Sequence, residues 1–143
     1  MSCNEKHGHN KDFDCVCDVV HFIVELQSAC VDFICTSNCL NPMLGMPSSG
    51  MKANTRVFSL YTKNGDIFKA HFLDHGCDND DDRKSKFFRA ESVDGCCAVL
   101  RVLKLADGSF PMCHFEKTDQ CIVVDLNCFC AIACVEDTFI QGV

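Results

Sequence analysis

From Cys15 onward the apolar residues Val16, Val19, Val20, Ile23, Leu26 and Cys30 recur at steps of three and four. That spacing puts them on one face of a helix, and Asp14 stands where an N-cap would. The pattern predicts one amphipathic helix over about 15–35. The next stretch, CTSNCLNPMLGMPSSGMKAN, gathers two of the three prolines with Gly, Ser and Asn and reads as a long loop. Residues 1–14 are polar and read as a flexible N-terminal tail.

After Asn54 the period changes to two. RVFSLYT and IFKAHF flank Lys63-Asn64-Gly65-Asp66, and Asn-Gly supplies the positive-φ residues of a tight hairpin turn. Phe58, Leu60, Phe68, Ala70 and Phe72 are then expected on one face, with Ser59, Tyr61, Lys69 and His71 on the other. KFFRAESV and CCAVLRVLKL around Asp94-Gly95 predict a second hairpin, and Asp107-Gly108 a further turn leading into FPMCHF. CIVVDLNCFCAIAC reads as one long final strand. The sum is a mainly β chain with one N-terminal helix and no βαβ alternation, an antiparallel β-sandwich or open barrel. Its boundaries are the tail 1–14 and a single cysteine-rich domain 15–143, with the helix at about 15–35 and a β region at about 55–135. Several strands, CCAVLRVLKL above all, are apolar on both faces and need a second covering layer or a neighbouring subunit.

Composition adds a question about chemistry. The chain has 14 cysteines in 143 residues, the level of a small disulfide scaffold, although a chain this long needs none merely to fold. The opening MSCNEKHGHNKDFD lacks the apolar core of a secretory signal, and no run approaches the ~18 apolar residues of a membrane helix. Synthesis is therefore expected in the cytosol, where thiols stay reduced. Either the cysteines hold metal or the protein meets oxidants by a route other than secretion. A formal charge of −7 argues against nucleic acid and against anionic membranes as partners.

Structural zinc favours Cys pairs two to four residues apart. Cys35-x3-Cys39 and Cys130-x3-Cys134 have acceptable spacing, whereas Cys15-x-Cys17 and Cys128-x-Cys130 do not, and Cys-x2-Cys is absent from the sequence. A zinc-binding cytosolic module built on Cys35, Cys39, Cys130 and Cys134 is thus the alternative reading. Cys96 and Cys97 are adjacent in a strand pattern, so their side chains point to opposite faces and one of them is placed to bond outward. His7 and His9 with Cys3 form a possible metal clamp inside the polar tail, while His21, His71, His75 and His114 are scattered. No protease-like signature surrounds any cysteine, and the acidic run Asp78, Asp80, Asp81, Asp82 lacks the glycine and the glutamate of a calcium loop. No enzyme activity and no cofactor are expected.

The strings MSCNEKHGH, CVCDVVHFIVELQ, ANTRVFSLYTKNG, FFRAESVDGCCAVLRVL and CIVVDLNCFCAIAC resemble the spore coat protein Y/Z family of spore-forming bacteria, which includes exosporium protein Y. The resemblance covers most of the chain. It implies a structural protein of the exosporium or outer coat, made in the mother-cell cytoplasm without a signal peptide. It further implies self-assembly into hexamers and a two-dimensional hexagonal lattice hardened by disulfides, with itself and other coat proteins as partners. On that view all of Cys3, Cys15, Cys17, Cys30, Cys35, Cys39, Cys77, Cys96, Cys97, Cys113, Cys121, Cys128, Cys130 and Cys134 are cross-link candidates. Cys128, Cys130 and Cys134 are expected to divide between core and interface. Cys3, Cys15, Cys17 and one of Cys96 and Cys97 are expected to be available for bonds between molecules.

Overall fold

The computed structural model describes residues 15–29, 39, 52–73, 83–106 and 114–143. Helix α1 (Cys15–Ala29) is followed by strands β1 (Thr55–Thr62), β2 (Ala70–His71), β3 (Lys84–Ser85), β4 (Phe87–Asp94), β5 (Cys97–Leu105), β6 (Phe115–Asp125) and β7 (Phe129–Thr138). A single 3-10 turn, Leu126–Cys128, separates β6 from β7. Five strands form one antiparallel sheet in the order β6-β5-β4-β1-β7, and β2 pairs with β3 in a small separate ribbon. The expected helix is present over its first fifteen residues. Its predicted extension to residue 35, the cap at Asp14 and the Asp107-Gly108 turn lie outside the described residues.

β6 and β7 are the two edges of the sheet, yet only three residues join them. Laid flat, four steps of ~4.8 Å would hold the edges about 19 Å apart. The chain from Asp125 to Phe129 spans at most ~14 Å. The sheet therefore coils until its edges converge, and His114 beside β6 meets Glu136 of β7 at 3.1 Å. No ladder joins β6 to β7 among the described residues, so the result is an open, coiled sheet and not a closed barrel.

The run expected as one final strand is thus two. Asp125 caps the break: its carboxylate accepts from the Asn127 backbone N–H at 2.9 Å, and the Leu126 N–H donates to the Cys96 carbonyl at 2.8 Å. Asp and Asn offer the backbone a local partner that competes with the ladder. The first predicted hairpin also turns where expected, with Gly65 at φ 86 and its N–H donating to Thr62 O at 2.9 Å. It stops early. Pairing persists through the Thr62 N–H to Asp66 O bond, the Tyr61–Ile67 bridge and the Phe68 N–H to Leu60 O bond, and beyond them β4 occupies that edge of β1 at Phe58–Phe88. The second hairpin forms as read, turning at Gly95 with φ 60.

The apolar face of α1 (Val16, Val19, Val20, Ile23) lies against Phe58, Leu60, Phe88, Leu100, Leu126 and Phe129 in the main core, which also takes in Phe68, Ala70 and Phe72. Of the residues expected to face away, Ser59 is nonetheless buried, its hydroxyl donating to the Lys86 carbonyl at 2.7 Å. Val57 and Phe87, one position from Phe58 and Phe88, point to the opposite face. There they pack with Leu103, Phe115 and Ile140 as a second core. Asn54 clasps the C-terminal segment over it, donating Nδ2 to Ile140 O at 2.9 Å and accepting from the Ile140 N–H at 3.0 Å.

Between β1 and β7 sits an ion pair that the hydropathy pattern does not announce. Arg56, fully buried, donates Nε to Asp137 Oδ1 at 2.8 Å and Nη2 to Oδ2 at 3.0 Å, and its Nη1 reaches the Cys39 carbonyl at 3.0 Å. Its backbone N–H donates to Gln27 Oε1 at 3.1 Å, while Gln27 Nε2 donates to Ala90 O at 2.8 Å, which ties α1 to β1 and β4. Removing one partner leaves a buried charge alone and typically costs 3–5 kcal/mol. Asp137→Ala is expected to lower the urea unfolding free energy by about that much. The pair Arg56→Met with Asp137→Leu is expected to lose less than either single change, because no orphan charge remains.

Candidate functional site

The cysteines of the described residues fall into two groups. Cys17 of α1 is bonded to Cys96 in the β4–β5 turn, with Cα atoms 5.3 Å apart, and Cys39 is bonded to Cys134 of β7, with Cα atoms 5.4 Å apart. Both bridges lie against the main core and close long loops, at sequence separations of 79 and 95. The helix reaches the turn for a local reason. Cys17 lies on the buried side of α1, and one turn further on the His21 Nε2–H donates to the Gly95 carbonyl at 2.6 Å.

Cys15, Cys97, Cys121, Cys128 and Cys130 are unpaired and exposed. The division within pairs follows strand and helix geometry. Cys96 turns inward to Cys17 while its neighbour Cys97 faces solvent, and Cys15 is exposed on the helix that buries Cys17. Cys17 was expected to be available to other molecules, but the bond to Cys96 occupies it. In the closing segment Cys134 packs against the core, Cys128 is exposed in the 3-10 turn, and the exposed Cys130 thiol donates to Thr62 O at 3.0 Å. Cys3, Cys30, Cys35, Cys77 and Cys113 lie outside the described residues.

The zinc reading requires thiolates at Cys35, Cys39, Cys130 and Cys134. Two of these are joined to each other in a disulfide and have no thiolate to give. No cluster of three or more metal-ligating side chains occurs among the described residues. Short C-x3-C spacing suggested a shared ligand sphere. The sheet instead brings Cys39 onto β7 across 95 residues of sequence.

Two exposed thiols share one strip of sheet. The register Cys97–Asp125, Val99–Val123 and Arg101–Cys121 places them on the face opposite Ala98 and Leu100. Arg101 is the charged centre of that strip. Its Nε donates to Glu91 Oε1 at 2.8 Å, and this bond, with Cys121 and Asp119 also nearby, raises its pKa and keeps the guanidinium charged. Arg89 holds the other Glu91 oxygen at 2.8 Å.

The family model described as "Spore coat protein Z" matches residues 1–111 and 108–137. The chain belongs to that family. It is 32% identical, over 92% of its length and 95% of the relative's, to spore coat protein Z of Bacillus subtilis (strain 168). No solved structure matches it. The family supports a spore coat structural role, in line with the resemblance carried by the five sequence strings.

Sequence reasoning passed over Arg56, Asn54 and Gln27, polar residues that organise this family member without touching a thiol. The available signal was a lone arginine heading the otherwise uncharged strand RVFSLYT. In the oxidised chain, alkylation without denaturant is expected to label Cys15, Cys97, Cys121, Cys128 and Cys130, and peptide mapping is expected to find Cys17, Cys39, Cys96 and Cys134 labelled only after reduction. From chain entropy alone, each bridge contributes about 4–5 kcal/mol for loops of this length. Replacing Cys17 and Cys96 together by alanine is expected to lower stability by up to that amount, read as a shift of the denaturation midpoint.

Proposed function

We propose that this protein is a structural subunit of the spore's outermost layer, exosporium or outer coat, that assembles with copies of itself into a two-dimensional, hexagonal lattice and is then cross-linked through its exposed thiols. One observation carries the reading: the described cysteines divide into two internal bridges that secure the fold and five exposed thiols with no disulfide partner among the described residues. A thiol scaffold meant only for internal stability has no use for the second group. Cross-linking joins two such thiols on neighbouring copies, each pair giving up two electrons and two protons to an oxidant such as molecular oxygen. Synthesis in a reducing cytoplasm followed by exposure to oxidant supplies the order of events: folding, packing, then bonding.

A covalent bond between subunits removes the concentration dependence of assembly. Heat and detergent resistance follow, and the layer acts as a barrier whose pores pass small molecules and exclude lytic enzymes. Negative-stain microscopy of the purified full chain is expected to show ordered sheets, stacks or rings. After air oxidation these are expected to survive boiling in detergent and to dissolve when thiol is added. With Cys15, Cys97, Cys121, Cys128 and Cys130 all changed to serine, the assemblies are expected to form but to dissolve on boiling without reductant. Survival of the serine variant would remove these thiols from the cross-link, and monodisperse small particles from the unaltered chain would count against self-assembly.

A further inference from the structure

The chain carries a formal charge of −7, yet one groove is strongly basic. Lys69, Lys84, Lys86 and Lys104 ring an open cavity of about 260 Å³ between the β2–β3 ribbon and the end of β5, with Phe72 and Leu105 on its walls. Lys104 is ion-paired with Glu116 at 3.6 Å, and the lining itself holds no carboxylate among the described residues. The concentration is not a by-product of the core. Arg56, Arg89 and Arg101 are held in ion pairs elsewhere, and Lys69, Lys84 and Lys86 are exposed at the groove itself. Leu105 is 62% exposed, an apolar side chain left in water in a groove with three exposed lysines.

The complementary surface lies on the same chain. Asp119 and Asp125 of β6 are exposed on either side of Val123 along the strand, Val123 is 71% exposed and faces the same way as Cys97 and Cys121, and Asp94 of β4 is exposed opposite Cys97. β6 is also an edge strand, with no ladder partner on its outer side among the described residues. Arg101 within the strip is ion-paired with Glu91 at 2.8 Å, and Asp94, Asp119 and Asp125 around it give the strip a charge opposite to that of the lysine-rimmed groove.

We infer that the lysine groove of one copy receives the β6 strip of a second copy. This contact deepens the self-assembly reading and rests on it. Groove and strip are different patches, so the contact is head-to-tail. Each copy added leaves one groove and one strip open, and the array closes into a ring or extends as a row. The contact is electrostatic before it is covalent, and it carries Cys97 and Cys121 to the boundary between copies.

The test uses the freshly purified full chain and reads the assembled fraction by sedimentation and microscopy. Lys69, Lys84, Lys86, Asp94 and Asp119 are all exposed, and circular dichroism checks that each variant is folded. The unaltered chain is expected to assemble at low ionic strength and to lose most assembly in 1 M NaCl, where screening acts over ~3 Å. Lys69→Glu, Lys84→Glu and Lys86→Glu together are expected to lower the assembled fraction at least tenfold, as are Asp94→Lys and Asp119→Lys together. A chain carrying all five reversals is expected to assemble again, and the two defective variants are expected to co-assemble when mixed. Assembly that ignores both reversals overturns the contact while leaving the self-assembly reading intact. A groove defect rescued only by reversing Asp78, Asp80, Asp81 and Asp82 would put that acidic run in the groove and overturn the assignment to β6. Failure of the unaltered chain to assemble under any of these conditions overturns both.

Discussion

The buried pairing of Arg56 with Asp137 is the constraint around which the rest is arranged. Taking two ions out of water costs several kcal/mol each, and only close geometry with further hydrogen bonds offsets it. Here the guanidinium binds both carboxylate oxygens and the Cys39 carbonyl, so the charge is met from three directions. Those contacts fix β1 against β7, and β1 contributes to both cores, Phe58 on one side and Val57 on the other. The register carries an irregularity at this point, Val57 opposite Glu136 and Phe58 opposite Cys134, which leaves Val135 as the extra residue. A slip of one residue would exchange the two faces of β7 and carry Cys134 away from Cys39. The ion pair and the disulfide thus specify the same register by independent means.

What the sequence disclosed and what it hid divide along the range of the interaction. Helix α1, the turns at Gly65 and Gly95 and the shared face of Phe58, Leu60, Phe68, Ala70 and Phe72 follow from spacing over a few residues. The break at Leu126–Cys128 was also local in principle, because Asp125 and Asn127 are turn-forming residues inside an apolar run. Hydrophobicity outweighed them in a reading by pattern. By contrast, the early end of the first hairpin depends on β4 arriving at the same edge of β1, and no local pattern expresses that competition. The cysteine pairing was hidden for the same reason. Cys17 with Cys96 and Cys39 with Cys134 are products of topology, which spacing along the chain does not express.

The coiling of the sheet determines where the chemistry can go. With β6 and β7 drawn together but not hydrogen-bonded, the inner face is filled by α1 and closed by two bridges, while the second core beneath Ile140 covers part of the outer face. That second layer answers the expectation that strands apolar on both sides need cover. It covers them incompletely. Leu105 and Val123 stay exposed, and they lie in the basic groove and on the acidic strip.

A protein that keeps large apolar side chains in water normally risks unspecific aggregation, and edge strands add to that risk. Charge separation changes the outcome. Carboxylates around Val123 repel the same strip on another copy, and lysines around Leu105 repel a second groove, so strip-to-strip and groove-to-groove encounters are disfavoured while strip-to-groove encounters are favoured. Specificity of that kind has a further consequence for thiols. A disulfide forms between whichever sulfurs meet, and a chain with many exposed cysteines would bond at random if oxidised in solution. A non-covalent contact that fixes orientation first limits which sulfurs meet, so the proposed cross-links record an arrangement that charge and packing have already selected.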